Sequence, residues 1–171
     1  FTITSEGLNG TVSNDFARLG QIWNKPTVAR IRLTRDADPI DVLIFGGGYD
    51  MQYESEDYVA SSTTPAKGNA IYIVNASTGA LITSLTTSNN RNMIHSITGE
   101  IATLDRDNDG LMDHLYAADL GGEVFRADFE NARPNKFGFV AVNNFSNKRV
   151  TRILDTTLSS TTDKKFSYRF Y

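Results

Sequence analysis

Apolar side chains in this chain recur in short bursts separated by Gly, Asn, Asp or Ser, and within a burst they alternate or run together. Such bursts cover Thr27 to Leu33, Asp41 to Phe45, Ala70 to Val74, Ala80 to Leu85, Ser96 to Leu104, His114 to Ala117, Val124 to Ala127 and Phe137 to Val142. Each is rich in β-branched or aromatic residues, a pattern that predicts strands. No long apolar stripe of helical period with proper caps is present, and Asp15 to Trp23 holds a helical turn at most. The expected fold class is all-β.

Two of the strand pairs resemble one another. Ile40-Asp-Val-Leu-Ile-Phe followed by Gly68-Asn-Ala-Ile-Tyr-Ile matches Met112-Asp-His-Leu-Tyr-Ala followed by Gly122-Glu-Val-Phe-Arg-Ala. Each reads as strand, turn, then a Gly-x-apolar-apolar strand. The strands group into fours, which predicts blade-like antiparallel units over about 25–86 and 96–145 of one incomplete β-propeller, with a sandwich as the alternative. The run Lys165 to Tyr171 reads as a strand cut off midway, so the intact protein is expected to continue on both sides. Between Tyr49 and Lys67 the first unit carries a polar insertion, expected in a solvated surface loop or a partner-binding one.

Composition narrows the partners. A net charge of -3 and no Lys/Arg cluster argue against nucleic acid. No apolar stretch approaches the roughly 20 residues of a membrane helix. With no cysteine and two histidines, neither disulfides nor a structural zinc site is expected.

The chemistry concentrates in Asp105-Arg-Asp-Asn-Asp-Gly-Leu-Met-Asp113, a D-x-D-x-D-G-x-x-D pattern. Acidic side chains at the first, third, fifth and ninth positions, with glycine at the sixth, suit a loop winding around a hard cation. The expected calcium ligands are Asp105, Asp107, Asp109, Asp113 and the backbone carbonyl of Leu111, with Arg106 and Asn108 facing outward. An EF-hand would supply a bidentate Glu at the twelfth position, where this chain has Tyr116 inside an apolar run. The loop is therefore EF-like with a strand after it, and its dissociation constant is expected in the range of roughly 10⁻⁶ to 10⁻³ M. Set against this, the segment reads as an acidic solvated turn that binds no metal.

Leu43-Ile-Phe-Gly-Gly-Gly-Tyr-Asp50, Gly68 to Ala80, the acidic loop and Leu115 to Asp128 occur in an order that resembles the C-terminal domain of PilY/PilC-type proteins of bacterial type IV pili. Trp23 to Arg30 is similar to the segment just upstream, so the resemblance covers roughly residues 20–130. It implies a modified β-propeller at the pilus tip, on the bacterial cell surface, or periplasmic or outer-membrane-associated before assembly. The implied roles are pilus biogenesis, calcium-dependent control of extension and retraction, and adhesion. The implied partners are other pilus components such as minor pilins, and a host or abiotic surface ligand. The family's calcium ligands map onto Asp105, Asp107, Asp109, Leu111 and Asp113. Ala118 and Gly122-Glu123 depart from the family's more glycine-rich pattern, but neither supplies a calcium carboxylate.

Other features read as structural. Gly46-Gly47-Gly48 lacks the helix and Lys-Ser/Thr of a phosphate-binding loop and is expected to allow close backbone approach. Trp23 is expected to pack in the core or within a blade rather than to be exposed for binding, and His95 and His114 to serve structural roles. The expectation is a non-enzymatic protein. The alternatives are a quinone-dependent propeller dehydrogenase, suggested by Ala76 to Ala80, and a calcium-stabilised interaction module unrelated to pili.

Overall fold

The computed structural model describes residues 1–134 and 141–156. Eleven strands form in chain order among them: β1 Ile3–Thr4, β2 Gly7–Leu8, β3 Thr11–Val12, β4 Thr27–Ile31, β5 Ile40–Gly46, β6 Ile71–Asn75, β7 Leu81–Leu85, β8 Ala102–Leu104, β9 His114–Ala118, β10 Glu123–Glu130 and β11 Ser146–Asp155. The only helical element among the described residues is a 3-10 turn over Met51–Glu54. All sheets are antiparallel: a small one of order β1-β2-β3, and two four-stranded meanders of order β4-β5-β6-β7 and β8-β9-β10-β11. The all-β expectation is met, and the described strands close no ring.

The two four-stranded sheets share one core. Ile31, Val42, Ile44, Ile71, Ile73 and Leu85 of the first pack with Leu115, Ala117, Phe125, Ala127 and Phe129 of the second. The other face of the first sheet is also covered, because Phe16 and Leu19 pack onto Phe45, Tyr72 and Val74. Coverage on both faces explains why β6 reads as a continuous apolar run, whereas β10 alternates strictly between buried and half-exposed positions. The second sheet's other face is charged: Arg126 and Arg149 pair with Asp128, and Lys148 with Glu130.

The repeated pattern corresponds to hairpins β5–β6 and β9–β10, the central pairs of the two meanders. Gly68 and Gly122, which lie just ahead of the second strands, have φ of 77° and 82°. Glycine adopts that backbone region without the strain a Cβ brings.

Several strand expectations need correction. Ser96 to Ile101 is no strand: with Ser96, Ile97 and Ile101 buried, its backbone bonds to the connections beside both sheets, Ile97 N–H donating to Gly68 O (3.0 Å) and Leu120 N–H to Ser96 O (2.9 Å). Asp15 to Trp23, by contrast, holds no more than the expected turn, followed by an isolated bridge from Gln21 to Tyr49. The fourth strand of the second sheet, β11, lies beyond the boundary expected at residue 145; its polar sequence suits an edge partner of β10. Of Phe137 to Val142, residues 137–140 fall outside the described part, and Val142 forms an isolated bridge to Arg133. Lys165 to Tyr171 also lies outside it.

Gly46 to Gly48 do permit close approach. A Cβ on Gly46 would sit 2.2 Å from Ile97 O, and one on Gly48 would sit 2.4 Å from Gln21 O. The insertion that follows is clasped at its base by buried Asp50, which accepts from Gln52 N–H (3.0 Å), Lys67 N–H (2.7 Å) and Tyr58 O–H (3.2 Å). Trp23 is not in the core: it is 70% exposed, with one face stacked on Tyr49 at 5.2 Å.

Candidate metal centre

The acidic loop joins β8 to β9. Its first residue organises the turn: Asp105 Oδ1 accepts from the N–H groups of Asn108 (2.7 Å) and Asp109 (3.2 Å), and Oδ2 from Gly110 N–H (2.8 Å). Such side-chain-to-backbone bonds are why Asp favours turns over regular structure. Asn108 and Gly110 take left-handed conformations, φ 62° and 85°, which these two residue types tolerate best.

The loop's ends are tied together. Arg106 N–H donates to Asp113 Oδ2 at 2.8 Å, and Asp113 N–H donates to Leu104 O at 2.9 Å. Leu111 and Met112, each 3% exposed, insert their side chains into the protein beneath the exposed tip. Met112 N–H donates to Arg30 O (2.8 Å), so the loop's exit is fixed to the first sheet as well as its own. Buried Asn131 reinforces that join, donating to Met112 O (2.9 Å) while accepting from Arg32 N–H (3.0 Å). Just past the loop, His114 Nδ1 lies 2.8 Å from Asp128 Oδ1. Burial pulls the Asp128 carboxyl upward, but hydrogen bonds from Arg149 and Arg126 outweigh it and hold the group below its ordinary value.

Asp105, Asp107 and Asp109 each present a carboxylate oxygen within 4.8 Å of the others. Asp113 is close enough for its charge to act on Asp109. The Asp109 carboxyl is raised, chiefly by burial and then by the charges of Asp107, Asp105 and Asp113, against the lowering effect of the Leu111 N–H bond. At that bond Asp109 Oδ1 accepts at 2.8 Å. Arg106 and Asn108 are exposed, and so are Asp107 and Asp109. Tyr116, at the EF-hand glutamate position, lies within β9 opposite Arg126 and Ala102. Beside the loop a cavity of about 300 Å³ is bordered by Asp107, Asp109 and Asp113 on one side and by Glu130, Arg133 and Lys148 on another.

The donor set is all oxygen, gathered on a turn whose backbone is already bonded into shape. Hard divalent cations take such ligands, whereas zinc and copper favour nitrogen and sulfur. Of the expected ligands, Asp105, Asp107 and Asp109 converge, Asp113 closes the loop at their side, and Leu111 anchors it. Asn131 and Asp128 carry no signal in sequence, because their roles rest on pairings with residues distant along the chain.

The fold and the site thus define an all-β protein carrying a carboxylate-lined turn between two strands. No protein-family model and no solved structure matches the chain. Over 104 residues it is 32% identical to the type IV pilus biogenesis factor PilY1 homologue of Xylella fastidiosa (strain Temecula1), an alignment that takes in 56% of this chain. The chain covers 6% of that relative's length.

Proposed function

We propose that the chain is a calcium-binding portion of a pilus-associated β-propeller, acting without catalysis in type IV pilus biogenesis and in adhesion at the bacterial surface. The pilus assignment is carried by the 32% identity to a type IV pilus biogenesis factor. Partners are then other pilus components, among them minor pilins, and an external surface ligand. Two consecutive four-stranded meanders are the connectivity of neighbouring propeller blades, which supports that architecture.

Calcium is the proposed ion because three carboxylates converge within 4.8 Å on a turn of EF-like sequence. Asp105, Asp107, Asp109, Asp113 and the Leu111 carbonyl would hold it, and the ion would supply the positive charge that four crowded carboxylates lack. Neutralising them fixes the loop, and through Met112 and Asn131 it stiffens the join between the two sheets. Control of pilus extension and retraction follows if a surface near that join contacts the pilus only when it is ordered.

The test is made in the bacterium that produces the intact protein, by counting surface pili in calcium-replete and chelated medium. Replacing Asp105, Asp107 and Asp109 by Ala is expected to abolish the calcium dependence of piliation. Normal piliation after deletion of the whole segment would contradict the pilus assignment. If calcium still bound the protein in that case, a calcium-stabilised module with another task would be left.

A further inference from the structure

The turn between β9 and β10 holds two carboxyl groups that the metal loop does not use. Asp119 is fully buried, and Glu123, 6% exposed, occupies a buried position of β10 in register with Phe125, Ala127 and Phe129. The rest of that face is apolar, so a carboxylate there needs specific partners. Asp119 Oδ1 has them: it accepts from the N–H groups of Gly121 and Glu123, both at 2.9 Å. Glu123 Oε1 accepts from Arg152, whose guanidinium also reaches Asp155 at 2.9 Å. The second oxygens, Asp119 Oδ2 and Glu123 Oε2, are buried without a hydrogen-bond partner among the described residues. The Glu123 N–H bond to Asp119 Oδ1 holds the two residues side by side in one turn, where each carboxyl acts on the other.

Two ionised carboxylates in contact and shielded from water repel and lose their hydration. A single proton placed between them removes one charge and gives both unpartnered oxygens a hydrogen bond. Arg152 determines where the remaining charge resides: it favours ionised Glu123, which leaves the proton on Asp119. We propose that Asp119 and Glu123 share one proton, and that this proton holds the β9–β10 turn against the first sheet, making the junction of the two sheets sensitive to pH.

The turn is well placed for that role. Leu120 N–H donates to Ser96 O (2.9 Å), and Ser96 Oγ donates to Lys67 O (2.5 Å) at the end of the insertion. Gly121 lies flat on His95, where a Cβ would come within 2.1 Å of Cδ2. His95 Nδ1 is in turn 3.1 Å from the Tyr53 hydroxyl. The charged and titratable groups facing the pair among the described residues are thus Arg152 and Asp155 from β11, Tyr53 from the 3-10 turn and His95 from the connector. Arg91 joins Glu123 and Arg152 around a cavity of about 410 Å³, which gives the Glu123 side of the pair a route to solvent.

Burial, opposed by the two N–H bonds and aided by the Glu123 charge, pushes the Asp119 carboxyl up to about 7. Glu123 is raised as well, chiefly by burial and against Arg152. The folded protein therefore keeps its proton at pH values where the unfolded chain has released it. The resulting stabilisation is complete below the ordinary carboxyl range and is lost as pH rises through about 7.

The experiment is thermal unfolding of the full chain from about pH 5 to about pH 9, for the native protein, Asp119→Asn and Glu123→Gln, together with infrared spectra at neutral pH. Asparagine keeps the Oδ1 acceptor and presents a fixed N–H where the shared proton lies. Asp119→Asn is expected to flatten the fall in Tm with rising pH and to exceed the native Tm at the alkaline end. Glu123→Gln should flatten it too, and the native protein alone should show the carbonyl stretch of a buried protonated carboxyl group. Parallel Tm-against-pH curves for native protein and Asp119→Asn, or no such stretch, would overturn the proposal. If Asp119→Asn does not fold, Glu123→Gln and the infrared band decide it.

Discussion

Gly110 and Gly68 both hold left-handed backbone, yet substitution at each has a different meaning. Around Gly110 a Cβ would meet nothing within 4 Å, so Gly110→Ala is expected to cost only the backbone strain, about 1–2 kcal/mol by urea denaturation. At Gly68 a Cβ would sit 1.8 Å from Gly48 O, backbone against backbone, and φ is 77°. Gly68→Ala is therefore expected to cost on the order of 3 kcal/mol or more, since one chain must move away from the other. The acidic loop was readable at this scale because its spacing carries its chemistry: Asp105, Asp107, Asp109 and Gly110 are neighbours in sequence and in space. Asp119 was not readable, since nothing along the chain separates a buried Asp from an exposed turn Asp.

Strands were legible where burial left a pattern. β6 is apolar from Ile71 to Val74 because both its faces are covered, and β10 alternates because one face meets water. Ser96 to Ile101 looked like a strand because Ile97, Thr98 and Ile101 are β-branched, but its backbone bonds are made to Gly48, Gly68 and Leu120 instead of to a ladder. β11 was missed for the converse reason: apart from Val150 its side chains are not buried, and its order comes from pairing with β10. The join between the sheets depends on contacts of the same long-range kind. Asn131→Ala would strip partners from Arg32 N–H and Met112 O, and is expected to cost about 2–4 kcal/mol in chemical denaturation. Asp41→Ala removes an ion pair with Arg30 whose side chains are 57% and 56% exposed, and should change stability by less than about 1 kcal/mol.

At the scale of the whole molecule, the two meanders stand or fall together because they share one core. Leu115, fully buried in β9, touches that core directly, and Leu115→Ala is expected to cost about 2–5 kcal/mol in a single cooperative transition seen by both far-ultraviolet circular dichroism and aromatic fluorescence. Two transitions would show that the sheets unfold separately. The all-β class was legible from the strand pattern, and so was the recurrence of a strand-turn-strand unit, which corresponds to the central hairpin of each meander. How the sheets face one another was not legible, because it rests on Met112, Asn131 and the Ser96 to Ile101 connector, each acting across the chain. The same join is where a bound cation would be felt, since Met112 and Leu111 carry the loop's exit into the core. Calcium at about a hundredfold above its dissociation constant should then add about 2.7 kcal/mol of stability.

The measurement that tests the central claim most directly is calorimetric titration of calcium into chelator-treated protein, alongside Asp109→Ala and a magnesium control. The expected result is saturable binding near one equivalent, with a dissociation constant between about 10⁻⁶ and 10⁻³ M, weaker for magnesium and lost in Asp109→Ala. Absence of binding to a folded chain, or binding that Asp109→Ala leaves unchanged, would contradict it.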